Sequence, residues 1–335
     1  MFFYAIIQEI KINNLGHSSG YLNRSSRLIK NMTTIKHNNI TWIDIQSPKK
    51  KDIKFLKEKF NLHPLILEEF ITPSQRPRAE EFDNFLYIVM HIPLYDTKKN
   101  VTYSGELDIV ITENYLITAH PQTNIPLKAV IKLFNENNEI KQKAMSGTIG
   151  FLFYFILEKL ISSCFPKLDH INEKIDEIEE GIFDNQEKEM VRELSASKRD
   201  ILAFRRILKP QRSILESLVK KKYRLLENEL NDYFQDLIGT NIRAWNTLEN
   251  TQEIIESLED TNSSLLSYKI NATMRFLAAI SLVTFALSVT TGIFSMHPFK
   301  AFSIAQEPIT FWIILGFMLF IALCLFTFFK KKKWL

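Results

Sequence analysis

The sequence predicts an α+β domain followed by long helices and two C-terminal transmembrane helices. Three observations predict it. Short runs of β-branched and aromatic residues, separated by turn residues, fill roughly the first 145 positions. From Gly147 onward the apolar residues recur at helical spacing. The stretches Leu277–Met296 and Ile309–Phe329 carry no charge and are long enough for a helix to cross a bilayer.

The strand-like runs are Phe2–Ile7, Thr41–Ile45, Phe85–His91, Leu107–Ile111 and Tyr115–Ala119. The opening MFFYAII is short and follows no basic segment, so it reads as a first strand and not as a signal peptide. Pro48 opens a helical stretch with Ile53, Leu56 and Phe60 on one face. His63-Pro64 starts a short helix through Phe70, and Pro73–Pro77 is a turn or loop.

Phe165–Phe183 places Leu168, Ile171, Ile175, Ile178 and Ile182 on one side of a helix. Its other faces are acidic, with Asp169, Glu173, Asp176, Glu177, Glu179 and Glu180. A basic helix over about Lys188–Leu208 follows, and Pro210 is expected to break it. No proline then occurs until Pro298, which predicts one helix from about Asn231 through the first span. About sixty residues at helical rise extend roughly 100 Å. Such a stalk must pack on neighbours, and Leu237, Trp245, Leu248, Ile255, Leu258 and Leu265 are available for it. The expected regions are 1–146 (cytoplasmic α+β), 147–274 (helical and stalk), 275–296 (first span), 297–308 (outer loop), 309–329 (second span) and 330–335 (basic tail).

The 335 residues carry a formal net charge of +4, too mild to argue for a nucleic-acid partner. Cys164 and Cys324 offer neither a disulfide framework nor a zinc-ligand spacing. No nucleophile–base constellation or nucleotide-binding loop is visible, so the chain does not read as an enzyme or an ATP-driven pump. Lys269, Arg275 and Lys330–Lys333 flank the outer ends of the two spans, while the connecting loop has only Lys300. The positive-inside rule therefore puts both termini in the cytoplasm.

The first span carries a seam. Asn271, Met274, Ala278, Ser281, Phe285, Ser288, Gly292 and Ser295 recur every third or fourth residue and are mostly small or polar. Phe276, Ile280, Val283, Leu287 and Ile293 fall on the other faces. A thin polar seam on a spanning helix turns to partner helices or to water, while the bulky faces turn to lipid. One helix cannot enclose a pore, so the seam points to self-association.

Several segments in order resemble the CorA family of divalent-cation transporters. They are WIDIQSP (Trp42–Pro48), LHPLILEE (Leu62–Glu69), QRPRAEEFDNFLYIVM (Gln75–Met90) and ELDIVITENYLITAH (Glu106–His120). KRDILAFRRILKPQRSIL (Lys198–Leu215), DYFQD (Asp232–Asp236), KINATMRFL (Lys269–Leu277) and the terminal Lys-Lys-Lys-Lys-Trp-Leu follow. The resemblance implies a homopentameric funnel in the cell's inner membrane, with the first span lining the pore. It also implies passive influx of Mg²⁺, with Co²⁺ and Ni²⁺ as further cargo, and no cofactor beyond the transported and regulatory ion.

The departure falls at the outer mouth. The family's Gly-Met-Asn is Ser295-Met296-His297 here, within GIFSMHP, and a proline usual earlier in the span is Ala286. The family's Asn ring holds the waters of hydrated Mg²⁺, which dehydrates reluctantly. A neutral imidazole at His297 offers one donor and one acceptor and suits Zn²⁺, Ni²⁺ or Co²⁺. Two readings of His297 stand side by side: an altered, pH-sensitive filter, or a helix-end residue where the filter has been lost.

Carried over by position, Asn271 is a pore-facing amide near the cytoplasmic end, and Met274 and Leu277 form an apolar constriction that gates by dewetting. Ser288 is a pore-lining hydroxyl, Phe285 narrows the path, and Gly292 permits close helix approach. Asp96 and Asp236 match acidic positions of a regulatory Mg²⁺ site between subunits, where a bound cation favours the closed state. A further acid common near Asp236 is Gly239 here. Lys330, Lys331, Lys332 and Lys333 match a basic collar beside acidic helices, here Asp169–Glu189, although charged runs of this kind also serve as solvated faces and topology signals. Two alternatives stay open: a Zn²⁺ or other transition-metal transporter, as in the related ZntB branch, or a non-conducting regulatory subunit.

Overall fold

The computed structural model describes residues 31–72, 76–96, 101–121, 123–295 and 308–332. The expected strand Phe2–Ile7, most of the Pro73–Pro77 turn, Met296, His297, the outer loop and Lys333 lie outside the described residues. The chain forms two compact units, Met1–Glu180 with Arg192–Glu256, and Gly181–Val191 with Ser257–Leu335.

The first unit is built on a sheet of β1 (Met32–His37), β2 (Ile40–Gln46), β3 (Arg78–Glu81), β4 (Leu86–Asp96), β5 (Val101–Ile111) and β6 (Tyr115–His120). The spatial order is β1-β2-β6-β5-β4-β3. Among the described residues only the β2–β6 pair is parallel, with Trp42 opposite Leu116. The other pairs are antiparallel. The four inner strands read as near-continuous apolar runs because both faces of the sheet are covered. Alternation along β4 shows it: Leu86, Ile88 and Met90 enter one core, and Tyr87 and Val89 enter the other.

The Tyr87 side is covered by α1 (Lys50–Phe60) and α2 (Pro64–Glu69), whose Leu56, Ile66 and Leu67 are buried there. Asp52 in the first turn of α1 accepts the Lys49 N–H at 2.9 Å. Asn61 ends that helix in the left-handed region (φ 48), which asparagine tolerates. The opposite side holds the larger core, covered by α3 (Ile125–Glu136), α4 (Asn138–Met145) and α5 (Ile149–Ser162). Asn124, Asn137 and Thr148 cap these three helices by accepting N–H groups of the first turn.

The helix α6 (Phe165–Phe183) matches the expected segment, and its isoleucine stripe is buried. The next helix corrects an expectation. α7 runs Glu187–Lys220 with Pro210 inside it. A proline removes one hydrogen bond and crowds the preceding turn, at a cost of about 3 kcal/mol. Ile207, Leu208, Ile214, Leu215 and Leu218 are all buried on either side of it. Each buried side chain contributes about 1.5–3 kcal/mol, so their sum exceeds the cost. Gln211 adds a hydrogen bond to the His91 carbonyl, and its Oε1 accepts Asn241 Nδ2 at 3.2 Å. Pro210→Ala should restore the missing donor and raise stability by about 1–2 kcal/mol, after part of the gain is offset by a freer unfolded chain. Thermal unfolding in detergent measures this; an unchanged midpoint would mean the helix bears no strain there.

A polar cluster runs from the buried Tyr87 and Asp108 of the sheet to the half-buried Glu69 and Arg78. The Tyr87 hydroxyl lies 2.7 Å from Asp108 Oδ1 and 3.1 Å from Glu69 Oε2. Arg78 pairs with Glu69 and, at 2.9 Å, with Glu80. Burial pushes the Asp108 carboxyl from 3.8 up to about 8, with Glu106 and Glu69 adding to the rise against Tyr87 and Arg78. The folded state therefore holds an extra proton between the unfolded value and about 8. This contribution is complete below the unfolded value and is lost as pH rises through the folded one, at about 1.4 kcal/mol per pH unit for one proton. Asp108→Asn cannot ionise and should flatten that loss. The variant should match the parent only at about pH 3.5, below the unfolded value, and exceed it by a growing margin from about pH 5 to about pH 8 in thermal unfolding. Curves that decline in parallel would place the titration elsewhere.

Three stretches among the described residues are long and apolar enough to cross a membrane: Ile149–Phe183, Asn228–Ser295 and Phe311–Lys331. The first was not expected from sequence. Its Leu152, Phe153, Ile156, Leu157, Leu160 and Ile161 are buried in the sheet's larger core, so it is spoken for by the soluble fold. The other two stretches belong to α8 (Asn231–Ser295) and α9 (Pro308–Lys331), whose apolar residues are mostly exposed. α8 starts at the expected residue, and Leu237, Leu248, Ile255 and Leu258 along it are buried as the stalk requires.

Candidate functional site

On α8 every seam residue from Asn271 to Ser295 is exposed, with Met274 at 64% and Phe285 at 66%. Leu277 beside them is exposed as well. The buried stripe lies on the opposite side of the helix: Ala279 and Thr290 are buried, and Val283, Ala286, Leu287 and Phe294 are half-buried. Val283 and Leu287, expected to face lipid, therefore belong to the packed stripe, because they share its helical phase with Ala279 and Thr290. Phe276, Ile280 and Ile293 are exposed within the chain, as the seam residues are.

α9 covers one stripe too: Phe329 is buried, and Ile314, Met318, Ile321 and Leu325 are half-buried. Thr291 Oγ1 of α8 approaches Met318 Sδ at 3.9 Å. The first span thus uses one face within its own chain and leaves the polar face open.

Four hydroxyls in the span are satisfied inside the helix. Ser288 donates to the Thr284 carbonyl at 2.8 Å, and Thr284, Thr290 and Thr291 donate to carbonyls one turn back. A donor satisfied this way costs little in an apolar medium. The oxygen lone pairs of Ser288 remain on the open face. At Gly292 an added Cβ would meet nothing within 4 Å.

Just before the span, Lys269 Nζ lies 2.6 Å from Glu187 Oε1 and 3.0 Å from Asn185 Oδ1. The Lys269 hydrogen bond holds the Glu187 carboxyl below the usual carboxylate range. Asn262 donates to the Glu187 carbonyl at 3.0 Å. These contacts tie residues 181–191 to the α8 segment that leads into the span. The sequence offered Lys269 only as a topology signal; its partner is far away in the chain and left no local trace. Lys330, Lys331 and Lys332 are exposed at the end of α9.

Asp96 is half-buried at the end of β4, and its charge adds to the burial that raises the Tyr103 hydroxyl. Asp236 is exposed on α8, and its charge adds, after burial and Glu158, to the rise of Tyr154. Among the described residues no group of three or more His, Cys, Asp or Glu side chains is arranged to hold a metal.

Residues 37–331 match the family described as CorA-like Mg2+ transporter protein. The chain belongs to that family. This CorA-like chain is 29% identical over 299 residues to the cobalt/magnesium transport protein CorA of Thermotoga maritima, covering 88% of this chain and 83% of that protein. The complete structure of the CorA magnesium transporter from Methanocaldococcus jannaschii has the same fold, with a TM-score of 0.79 at 23% identity over 94% of this chain and 95% of that one. The ZntB cytoplasmic domain from Vibrio parahaemolyticus aligns with a TM-score of 0.58 at 14% identity over 72% of this chain and 100% of that chain, a likeness of fold alone. The expected α+β domain, long helices and two apolar C-terminal helices are those of a CorA-like chain, and the family is one of transporters and not of enzymes.

Proposed function

We propose that this CorA-like chain passes divalent cations, Mg²⁺ first, through a pore on the axis of a homopentamer in the inner membrane, with both termini cytoplasmic. The observation that carries this is the open seam. A spanning helix with its polar face exposed and its opposite face packed within the chain is built to meet copies of itself around water. Asn271 would present an amide to the path, Met274 and Leu277 would form the apolar gate, and Phe285, Ser288 and Gly292 would line the passage. Ser295, Met296 and His297 would form the outer mouth. Asp96 and Asp236 supply hard carboxylate oxygens of the kind Mg²⁺ takes, and across a subunit boundary they would give feedback from the cytoplasm.

A second reading is favoured by His297 alone. A ring of imidazoles ranks transition metals above Mg²⁺, so Zn²⁺, Ni²⁺ or Co²⁺ would be the preferred cargo. The test is flux into proteoliposomes with each of the four ions at pH 6 and pH 8, for the parent and for His297→Asn. We expect flux that falls at pH 6, where imidazole gains positive charge. We also expect a shift of preference towards Mg²⁺ in the variant. Unchanged preference and pH response would remove His297 from the filter. No flux of any ion from a folded oligomer would overturn conduction and leave a regulatory subunit.

A further inference from the structure

We propose that a groove in the first unit is a binding site for a phosphate group, as free phosphate or as the end of a phosphomonoester. The groove is a cavity of about 160 Å³ between α6, α7 and the end of β4. Lys167, His170 and Lys174 line it from one face of α6, spaced at i, i+3 and i+7 as the helix period requires. Ser197 and Asp200 face them from α7, and Tyr95 closes one end. No residue of the seam or of the Asp96–Asp236 pair lines it, so the proposal does not rest on the transport reading.

Asp200 acts as an anchor. Its Oδ1 accepts the Thr102 N–H at 2.7 Å, and its Oδ2 lies 3.5 Å from Lys167 Nζ. The Lys167 ammonium also sits 3.5 Å from the Tyr95 ring centroid. This fixes a cation at the wall, and an ammonium carries three donor protons. Lys174 pairs with Glu193 at 2.8 Å, but those side chains are 38% and 42% exposed, so solvent screens the pair. An oxyanion can replace Glu193 at little cost. Lys167 and Lys174 each face one carboxylate, Asp200 and Glu193, and His170 lies 3.7 Å from Glu173, so the oxyanion takes the place of the exposed carboxylate at Lys174.

Ser197 is the second, independent observation. It is 4% exposed, and its hydroxyl has no hydrogen-bond partner. Ser217 of α7 and Ser264 of α8 each bond a preceding carbonyl. A buried hydroxyl left unpaired costs about 1–3 kcal/mol, and a phosphate oxygen at this wall would remove that cost. The volume suits one tetrahedral oxyanion. A nucleoside attached to it would lie outside the groove.

The test is calorimetric titration of the purified full-length protein with sodium phosphate and, separately, with AMP, at constant physiological chloride. We expect one phosphate per chain. Lys174→Gln and Ser197→Ala should each weaken binding about tenfold or more, as loss of a charge-assisted or buried hydrogen bond does. Lys330→Gln, on the basic tail, should leave affinity unchanged. AMP that competes with phosphate would identify a phosphomonoester site, and phosphate binding alone would identify the free ion. Equal affinity in the parent and both groove variants, or no binding of either ligand to the folded oligomer, would overturn the proposal.

Discussion

Gly292→Leu should reduce cation flux at least tenfold while the chain folds and assembles normally. Gly292 is exposed on α8, and a Cβ there would meet nothing within 4 Å. Inside a helix, leucine is favoured over glycine by about 0.8 kcal/mol, so the substitution does not weaken the chain by itself. Its effect reports what lies across the seam. If the seam faces a narrow water-filled path, a ring of leucines narrows and dries that path. If the seam faces lipid, leucine is at home there and flux stays at the parent value. Gly316→Leu is the matched control, because a Cβ at Gly316 on the second span also meets nothing within 4 Å. It should leave flux within about twofold, the context spread of such effects. The measurement is Mg²⁺ influx in proteoliposomes, with size-exclusion chromatography to confirm an unchanged oligomer. Parent-like flux from Gly292→Leu would move the ion path away from this face.

Phe153→Ala should lower stability by about 3–5 kcal/mol, the usual cost of emptying a buried phenylalanine site. Phe153 is 0% exposed, and its ring centroid lies 5.9 Å from that of Phe234. The same change at Phe311, which is 64% exposed on α9, should cost far less because no protein cavity is created. Thermal unfolding in detergent separates the two. For a unit of this size the Phe153 variant should melt roughly 10 °C lower. A small shift at Phe153 would mean that α5 is not part of the core, and would reopen its reading as a membrane segment.

Glu158 and Lys159 sit towards the C-terminal end of Ile149–Ser162, after nine uncharged residues. Its apolar residues are as suited to a core as to lipid. What decides is which surface covers them, and that surface is the sheet together with α7 and the start of α8. Pro210 is a similar case: the local cost of a proline is legible, and the packing that outweighs it comes from residues distant in the chain. The edge strands β1 and β3 went unread because only their neighbours' pairing makes them strands; MTTIKH and RAEE have little apolar alternation of their own. Glu106 and Asp108 are acidic residues of β5, yet both are buried.

The sequence by itself determined the features that depend on near neighbours: the inner strands, the acidic helix, the start of the stalk, the two apolar spans and the seam's helical phase. Each follows from a period of two or 3.6 residues, or from the length of an uncharged run. Only the tertiary structure decided that the third apolar stretch is core, that α7 passes through Pro210, and that α8 packs the face opposite the seam within its own chain. The physical reason is the same in each case. Burial is a property of what lies opposite a residue, and its free energy is large enough to override a local preference of a few kcal/mol.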